Sequence, residues 1–362
     1  MTSMRLWPDE TEQLLLIAAL VEGEPARGAF VDWLQRVDFD GPIEGGSFRL
    51  LPLVYSNLMR VGFDDPLMAR LRGIYRYSWC EAQTHLRRGG EAISILRRAG
   101  MDAMISKGLA LAVDFYPSAA LRPMSDIDLY VPRERAADAL AVLREGGWHS
   151  DAQVARYWRE RGERDLMELA PGIALYHPLH GELDLHWRLH QDFASSAADE
   201  RFWTRAVPCT IGGVATVRPS TSDLLFHVLV HGLRPNIMSP IRWVVDAAMI
   251  LRREAGNIDW GDLLAFASRM RLKHRIASGL EYLRDHVGAA VPAEAVAARP
   301  SLVEAIEQRA FQSNLARQGG DSEQSLLNFL AFVARFATNG NRRHLPRHAL
   351  RWTRRRLLPT KS

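Results

Sequence analysis

The sequence predicts an α+β protein in which a small mixed sheet lies between two helical regions. Before residue 100 and again after Pro219, apolar residues recur at helical spacing, without a period-two alternation. Between these regions, short apolar runs and helical segments follow in the order strand, helix, strand, helix, hairpin. A chain of 362 residues corresponds to two domains at roughly 100–200 residues each, or to one domain with large helical additions.

The N-terminal region, residues 1–100, consists of predicted helices. The last of them is the longest because its sequence contains almost no helix-breaking residue. The pair Gly89-Gly90 interrupts it, and we expect the helix to break there. The predicted helices are Glu12–Val21, Ala29–Val37, Leu51–Val61 and Pro66–Arg98.

The central region, residues 101–218, contains the predicted strands. Its apolar runs are short and several are bounded by proline or glycine, which is typical of buried strands. A short helix begins at Leu109, and an amphipathic helix over Arg133–Glu145 precedes a hairpin whose turn is residues 177–181. The predicted strands are Met101–Ser106, Ile127–Val131, Ile173–Tyr176 and Glu182–Trp187.

Helices return in residues 219–338, where a hydroxyl side chain at Ser220, Thr221 or Ser222 can cap the first of them. Residues 339–362 form a basic tail with eight arginines and lysines and no acidic residue, and the rest of the chain has a net charge of −4. The predicted helices are Leu224–Gly232, Ile241–Arg253, Trp260–Met270, Ile276–Val287 and Leu302–Arg317.

The composition excludes several classes of protein. Two cysteines, Cys80 and Cys209, are too few for a disulfide framework or a cysteine-rich zinc site, which indicates a reducing compartment. No apolar run approaches the ~18 residues of a membrane span. Residues 1–12 lack the charged-then-apolar pattern of a signal peptide. We therefore expect a cytoplasmic protein without a transmembrane segment.

Two carboxylates lie two residues apart at the start of the second predicted strand, Asp126 just before it and Asp128 within it. Side chains at this spacing share a face of a strand, so Asp126 and Asp128 point the same way. Such neighbours are tolerated when they are solvated, when they cap a helix, or when they bind a divalent cation. Mg²⁺ in particular prefers one or two carboxylates together with substrate phosphates. The spacing alone leaves these alternatives open.

The last predicted strand repeats the pattern, because Glu182, Asp184 and His186 alternate with apolar residues and share a face. If the two strands are neighbours, Asp184 joins the first pair as a third ligand. Three carboxylates on one face of a sheet can hold two metal ions for in-line displacement at phosphorus.

A third motif, Ser106-Lys107-Gly108, lies where a predicted strand meets a predicted helix. Glycine allows a phosphate to approach the backbone closely, and a helix N-terminus offers free N–H groups and the positive end of its dipole. Lys107 adds a positive charge. The motif alone is weak, but its position about 18 residues before the Asp-x-Asp pair favours a phosphate-binding turn.

Together these motifs resemble the nucleotidyltransferase fold of the DNA polymerase β superfamily, and more narrowly a bacterial group of uncharacterised nucleotidyltransferases. The sequence departs from the superfamily in having Lys-Gly where the turn usually has Gly-Ser. The residues that carry the resemblance are Lys107-Gly108, Tyr116-Pro117, Arg122, Ser125-Asp126-Ile127-Asp128-Leu129, Asp184-Leu185-His186-Trp187, Arg242-Trp243-Val244-Val245-Asp246 and Asp259-Trp260.

The resemblance implies a nucleotidyltransferase core that moves a nucleotidyl group from an NTP to an acceptor hydroxyl and releases pyrophosphate. The acceptor would be a small molecule, a peptide or a protein, and the cofactor two Mg²⁺ ions, with Mn²⁺ as a substitute. The implied metal ligands and catalytic residues are Asp126, Asp128 and Asp184. The residues implied at the nucleotide phosphates are Ser106, Lys107, Gly108 and Arg122.

Three further residues are candidates for contacting the acceptor or for supporting the ligands. His186 can support Asp184, and His231 lies either in the cleft or, like most such histidines, partly buried in the protein. Asp246 lies inside an apolar helix, where an unpaired charge would be costly. It either pairs with Arg242, four residues earlier, or contacts the site directly.

Two other functions stay open on sequence grounds. One is a tailoring enzyme on the same fold that moves another group onto a peptide or small molecule. The other is a non-catalytic binding module. The basic tail allows contact with nucleic acid or an anionic membrane. We favour a solvated basic end instead, because the tail contains no aromatic residue besides Trp352.

Overall fold

The computed structural model describes residues 6–152, 154–156, 167, 170–189, 196–233, 239–306 and 309. Within these residues the protein has an α+β fold, as predicted: helices flank one six-stranded mixed sheet. The predicted basic tail, residues 339–362, and most of the predicted helix Leu302–Arg317 lie outside the described residues. The strands are β1 (Met104–Ile105), β2 (Asp128–Tyr130), β3 (Gly172–His177), β4 (Gly181–His186), β5 (Val207–Ile211) and β6 (Val214–Arg218).

The strands follow the order β3-β4-β2-β1-β6-β5 across the sheet. β2 pairs with β4 in parallel and with β1 antiparallel, and β1 pairs with β6 in parallel. The antiparallel hairpins β3-β4 and β5-β6 form the two sides of the sheet. Consequently β2, which begins at the second aspartate of the Asp-x-Asp pair, is a central strand with a partner on each side.

The hairpin β5-β6 was missed by the sequence analysis. Its strands are joined by Gly212 and Gly213, both with positive φ (54° and 80°), as a two-residue hairpin turn requires. A Gly-Gly pair between two short β-prone runs is a recognised hairpin signal. The flanking strands are only partly buried, which left their apolar alternation weak.

The helices occupy the chain before and after the sheet and connect its strands. The long α4 begins one residue after Pro66 and runs unbroken through Gly89-Gly90. The described helices are α1 (Glu10–Leu20), α2 (Glu24–Arg36), α3 (Gly45–Arg60), α4 (Leu67–Arg98), α5 (Lys107–Asp114), α6 (Ala136–Glu145), α7 (Ser196–Thr204), α8 (Thr221–Gly232), α9 (Ile241–Glu254), α10 (Trp260–Arg269), α11 (Lys273–Val287) and α12 (Ala293–Val296).

The predicted break of α4 at Gly89-Gly90 was therefore wrong. Both glycines are buried against the β5-β6 hairpin. A Cβ at Gly90 would lie 2.9 Å from the carbonyl oxygen of Ile211, and one at Gly89 would lie 3.1 Å from the Ile211 side chain. The glycines permit close packing of helix on sheet, and neighbouring helical hydrogen bonds keep α4 intact.

A buried asparagine joins the first and third helices. The Asn57 side chain donates hydrogen bonds to the carbonyl oxygens of Ala18 (2.8 Å) and Val21 (2.7 Å) at the end of α1. The last carbonyl groups of a helix have no partner within the helix, so Asn57 satisfies them where water is excluded.

The helices after the sheet close over it. Ser220, one of the three candidate caps in the sequence, caps α8 by accepting a hydrogen bond from the backbone N–H of Asp223. Arg201 of α7 binds Asp223 and also Asp262 of α10, and thereby ties three helices together. In addition, α9 packs on both α1 and α3, so the two helical regions are in contact with each other. Among the described residues, no helix is long and apolar enough to cross a membrane.

Candidate active site

A cavity of about 410 Å³ lies beside Asp128 at the start of β2 and Asp184 within β4. Its wall is formed by the start of α5, the loop before β2, β4, and side chains of α3, α8 and α9. Most of the predicted site residues line this one cavity. They are Lys107, Gly108, Arg122, Asp126, Asp128, Asp184, His231 and Asp246.

The centre of the cavity wall is a cluster formed by β2 and β4. Asp128 lies opposite Asp184 in the parallel register, and His186 lies opposite Tyr130. One ligand atom from each of Asp128, Asp184 and His186 lies within 4.8 Å of the others. The register brings them together because residues two apart on each strand share the face, while Leu183 is fully buried on the other.

His186 contacts a different aspartate from the one expected. Its Nε2 lies 3.0 Å from Oδ1 of Asp128, and its ring stacks on Tyr130 with centroids 4.8 Å apart. It supports Asp128, whereas the sequence suggested support of Asp184. The neighbouring Trp187 points to the opposite face, where it donates to the carbonyl of Met167.

Asp126 occupies a different position from the one its spacing suggested. The strand begins only at Asp128, so Asp126 lies in the preceding loop, partly buried. It lines the cavity but does not belong to the cluster of Asp128, Asp184 and His186. Three predicted carboxylates thus face one cavity, and two of them are in direct register.

Lys107 reaches into the cluster from the first residue of α5. Its Nζ lies 2.8 Å from Oδ1 of Asp128. Its backbone has a φ of +44°, a left-handed conformation that non-glycine residues adopt at a cost. The superfamily resemblance has glycine at this turn, and here a strained lysine places an ammonium group beside a carboxylate.

The pKa values of the two paired aspartates are shifted in opposite directions. Burial alone would raise the pKa of Asp128, but the Lys107 ammonium and the His186 hydrogen bond hold it well below its usual range. Burial raises the pKa of Asp184, and the negative charges of Asp128 and Asp126 raise it further, against the opposing effect of His186. Adjacent carboxylates that share one site behave in this way.

The turn residues before and after Lys107 differ in their exposure to the cavity. Gly108 lines it, and a Cβ there would lie 2.9 Å from Nη1 of Arg122 and 3.3 Å from Met124. Ser106 was expected at the phosphates but is fully buried. Its Oγ lies 3.1 Å from Nδ1 of His227, away from the cavity lining.

Arg122 and Asp246 form a buried ion pair beside the cavity. The Arg122 Nε and Nη2 donate to the two Asp246 carboxylate oxygens, each at 2.8 Å, and the Tyr116 hydroxyl donates to Oδ1 at 2.7 Å. The suggested pair between Asp246 and Arg242 was therefore wrong. Arg242 instead donates to the carbonyl of Pro123 at 3.2 Å. Burial and the Asp246 charge raise the pKa of Tyr116 well above its usual value, which keeps the hydroxyl a donor.

Two arginines of the cavity escaped the sequence analysis. Arg49 comes from α3 and Arg242 from α9, outside the motif-bearing region. Arg49 carries no distinguishing signal in a chain with 46 basic residues. Arg242 was named as part of the family resemblance and as a candidate partner of Asp246, but not as a residue of the cavity. Their position in the cavity depends on how the helical regions pack on the sheet.

A family model described as an uncharacterised nucleotidyltransferase matches residues 47–288, about two-thirds of the chain. The chain belongs to this family of nucleotidyltransferases. The match begins in α3 and ends just after α11, so it includes every strand of the sheet and every residue of the cavity. It confirms the resemblance drawn from the Lys-Gly and Asp-x-Asp motifs, and it identifies the protein as an enzyme. No curated protein and no solved structure matches the chain significantly.

Proposed function

We propose that this nucleotidyltransferase moves a nucleotidyl group from an NTP to the hydroxyl of an acceptor, with a divalent metal ion as cofactor. The observation that carries the proposal is the register of Asp128 with Asp184 in a cavity that also exposes Gly108 at the start of α5. Carboxylates for a metal and a helix N-terminus for phosphates thus face the same space.

The donor set fits a divalent cation. Asp128 and Asp184 offer carboxylate oxygens, which Mg²⁺ and Mn²⁺ prefer. His186 adds an imidazole nitrogen, a ligand better suited to Zn²⁺, Fe²⁺ or Ni²⁺ than to Mg²⁺. Asp126 supplies a further carboxylate in the same cavity for a second ion. A bound metal would neutralise charge on the α-phosphate and lower the pKa of the acceptor hydroxyl.

The protein's own groups complete the site. Gly108 lets a phosphate approach the backbone amides of α5, and Lys107 and Arg122 place positive charges beside that end of the cavity. The acceptor oxygen bonds to the α-phosphorus as the bond to pyrophosphate breaks, and the hydroxyl proton passes to water or to a base in the cavity. The charges of Lys107 and Arg122 stabilise the departing pyrophosphate.

Ligand-dependent thermal stability tests this proposal. Each of the four NTPs is added with Mg²⁺, with Mn²⁺ or with EDTA, because a ligand that binds only the folded state raises its stability. We expect at least one NTP to raise the melting temperature only in the presence of metal. Asp126→Asn, which preserves shape and removes one charge, should weaken the shift.

Asp64→Asn is the matched control, since Asp64 is exposed and lies outside the cavity lining. Equal shifts with EDTA and with Mg²⁺ would contradict metal-bridged binding. A product that carries a part of the NTP other than the nucleotidyl group would favour the tailoring alternative.

A further inference from the structure

The cavity has a second end, which lies away from Gly108 and from the carboxylates proposed to bind metal. Arg49 and Arg242 line the main cavity, and both also line a smaller adjoining pocket between α3 and α9. None of the carboxylates proposed to bind metal, and neither Lys107 nor Gly108, lines this smaller pocket. The two arginines therefore extend the cleft away from the reacting centre.

These two arginines have no carboxylate partner within the part of the chain that the structure describes. Arg242 donates only to the backbone carbonyl of Pro123, and Arg49 takes part in no ion pair with a described residue. Asp246, the one carboxylate of the smaller pocket, is fully engaged by Arg122. The end of the cleft therefore holds more positive than negative charge.

A third guanidinium group, that of Arg122, lies between the two ends of the cleft. Nη1 of Arg122 is buried and has no hydrogen-bond partner among the described residues, although Arg122 itself is only 5% exposed. Arg122 lines both the main cavity and the smaller pocket. A Cβ at Gly108 would lie 2.9 Å from this atom, so Nη1 faces the end of the cleft proposed for the NTP phosphates, and Arg122 joins that end to the smaller pocket.

The electrostatics of Arg242 agree with this geometry. Burial, together with the positive charges of Arg122 and Arg49, lowers the pKa of Arg242 to about 10, against the opposing effect of Asp246. Like charges gathered at one end of a cavity repel each other, and a bound anion relieves that repulsion.

We infer that Arg49 and Arg242 form a subsite for an anionic group, a phosphate or a carboxylate, carried by the acceptor. The inference rests on the proposed function, because it assumes that the NTP occupies the Gly108 end of the cleft. Guanidinium groups bind both anions through paired N–H donors. The acceptor class is then a hydroxyl compound that bears a phosphate or carboxylate group, held by α3 and α9 while its hydroxyl faces the carboxylates.

The test measures anion binding with the nucleotide site filled. The full-length protein is saturated with Mg²⁺ and α,β-methylene-ATP, or the equivalent analogue of whichever NTP binds. Inorganic phosphate or acetate is then titrated in separate calorimetric experiments. We expect one or both anions to bind without displacing the analogue, and the stronger of the two identifies the charged group of the acceptor.

Arg49→Gln and Arg242→Gln should each weaken anion binding at least about tenfold, the loss expected when a charged hydrogen bond is removed. The affinity for the Mg²⁺–analogue complex should change by less than about threefold, roughly 0.7 kcal/mol. Arg242→Lys should retain part of the anion affinity, since it keeps the charge and loses the paired donors. Arg72→Gln is the matched control, because Arg72 is exposed on α4 outside both pockets.

Three results would overturn the inference. The first is competition between phosphate and the analogue. The second is a loss of analogue affinity in Arg49→Gln and Arg242→Gln that is as large as their loss of anion affinity. The third is no binding of either anion at roughly 50 mM, far above a millimolar Kd. Failure of the analogue itself to bind would contradict the proposed function instead. In that case the anions are titrated into the protein with Mg²⁺ alone. Anion binding that is weakened by Arg49→Gln would support the subsite. Absence of anion binding would contradict it.

Discussion

Asp128 on β2 lies directly opposite Asp184 on the parallel neighbour β4, 56 residues later in the chain. Two carboxylates are brought together by strand register rather than by a loop, so their spacing is fixed by the sheet. Lys107 and His186 both bond to Asp128 and hold it ionised. We propose this pair as the metal site, and the predictions below test that proposal and the packing around the pair.

Replacing Lys107 should separate the effect of its charge from that of its backbone. Lys107 has a φ of +44°, which glycine adopts freely and alanine does not. Lys107→Gly and Lys107→Ala both remove the ammonium group, and both should raise the KM for the NTP. Lys107→Gly should nevertheless be more stable than Lys107→Ala by about 1 kcal/mol. Urea denaturation checks this, and equal stabilities would contradict the left-handed turn.

The ion pair of Arg122 and Asp246 should behave as a single unit. Both side chains are almost fully buried, so Asp246→Leu leaves the Arg122 charge uncompensated and should reduce the free energy of unfolding by about 3–5 kcal/mol. The double replacement Arg122→Met with Asp246→Leu should recover much of that loss, because no unpaired charge remains. Losses that simply add in the double variant would show that the two residues act independently.

The buried carboxyl of Asp199 should make stability fall with rising pH. Burial raises the pKa of Asp199 to about 6, although the Leu189 N–H donates to it. Because the folded pKa exceeds the unfolded value of about 3.9, the stability contributed by the protonated form is lost as pH rises through about 6. Asp199→Asn should therefore stabilise the protein at pH 8, by up to about 3 kcal/mol, and have little effect near pH 4. Equal effects at both pH values would exclude this titration.

Two glycines of α4 should respond oppositely to alanine. A Cβ at Gly90 would meet the carbonyl oxygen of Ile211 at 2.9 Å, whereas one at Gly73 would meet nothing within 4 Å. Gly73→Ala should stabilise the protein by roughly 1 kcal/mol, the usual helix-propensity gain. Gly90→Ala should destabilise it, because the β5-β6 hairpin would have to move. A gain in stability at both positions, measured by thermal unfolding, would contradict the close approach of α4 to that hairpin.

Local sequence patterns predicted the elements of the site better than the contacts between them. Alternation along the chain placed Asp184 and His186 on one face, and the register then set Asp184 opposite Asp128. No local pattern predicts that Arg122 pairs with Asp246, which is 124 residues away, or that Ser106 contacts His227 at a separation of 121 residues. These contacts depend on how the helices close over the sheet.

The errors in secondary structure have the same origin. Gly89-Gly90 looked like a break because glycine weakens an isolated helix, but tertiary packing against the hairpin outweighs that local preference. The strand predicted over Ile127–Val131 begins one residue later, at Asp128, so Asp126 lies two residues before it, in the preceding loop. Strand ends are set by available hydrogen-bond partners, which the sequence does not display.

The central claim is that the cleft around Asp128 and Asp184 transfers the α-phosphoryl group of an NTP with its nucleoside. The most direct measurement supplies the same NTP labelled with ³²P at either the α- or the γ-phosphorus, together with Mg²⁺ and a mixture of anionic hydroxyl compounds. We predict that the α-label enters a product while the γ-label appears in pyrophosphate. Asp128→Asn should reduce incorporation by ~10²-fold or more, and the exposed control Asp64→Asn should not change it. Transfer of the γ-label to the acceptor, or undiminished α-label incorporation by Asp128→Asn, would contradict the account.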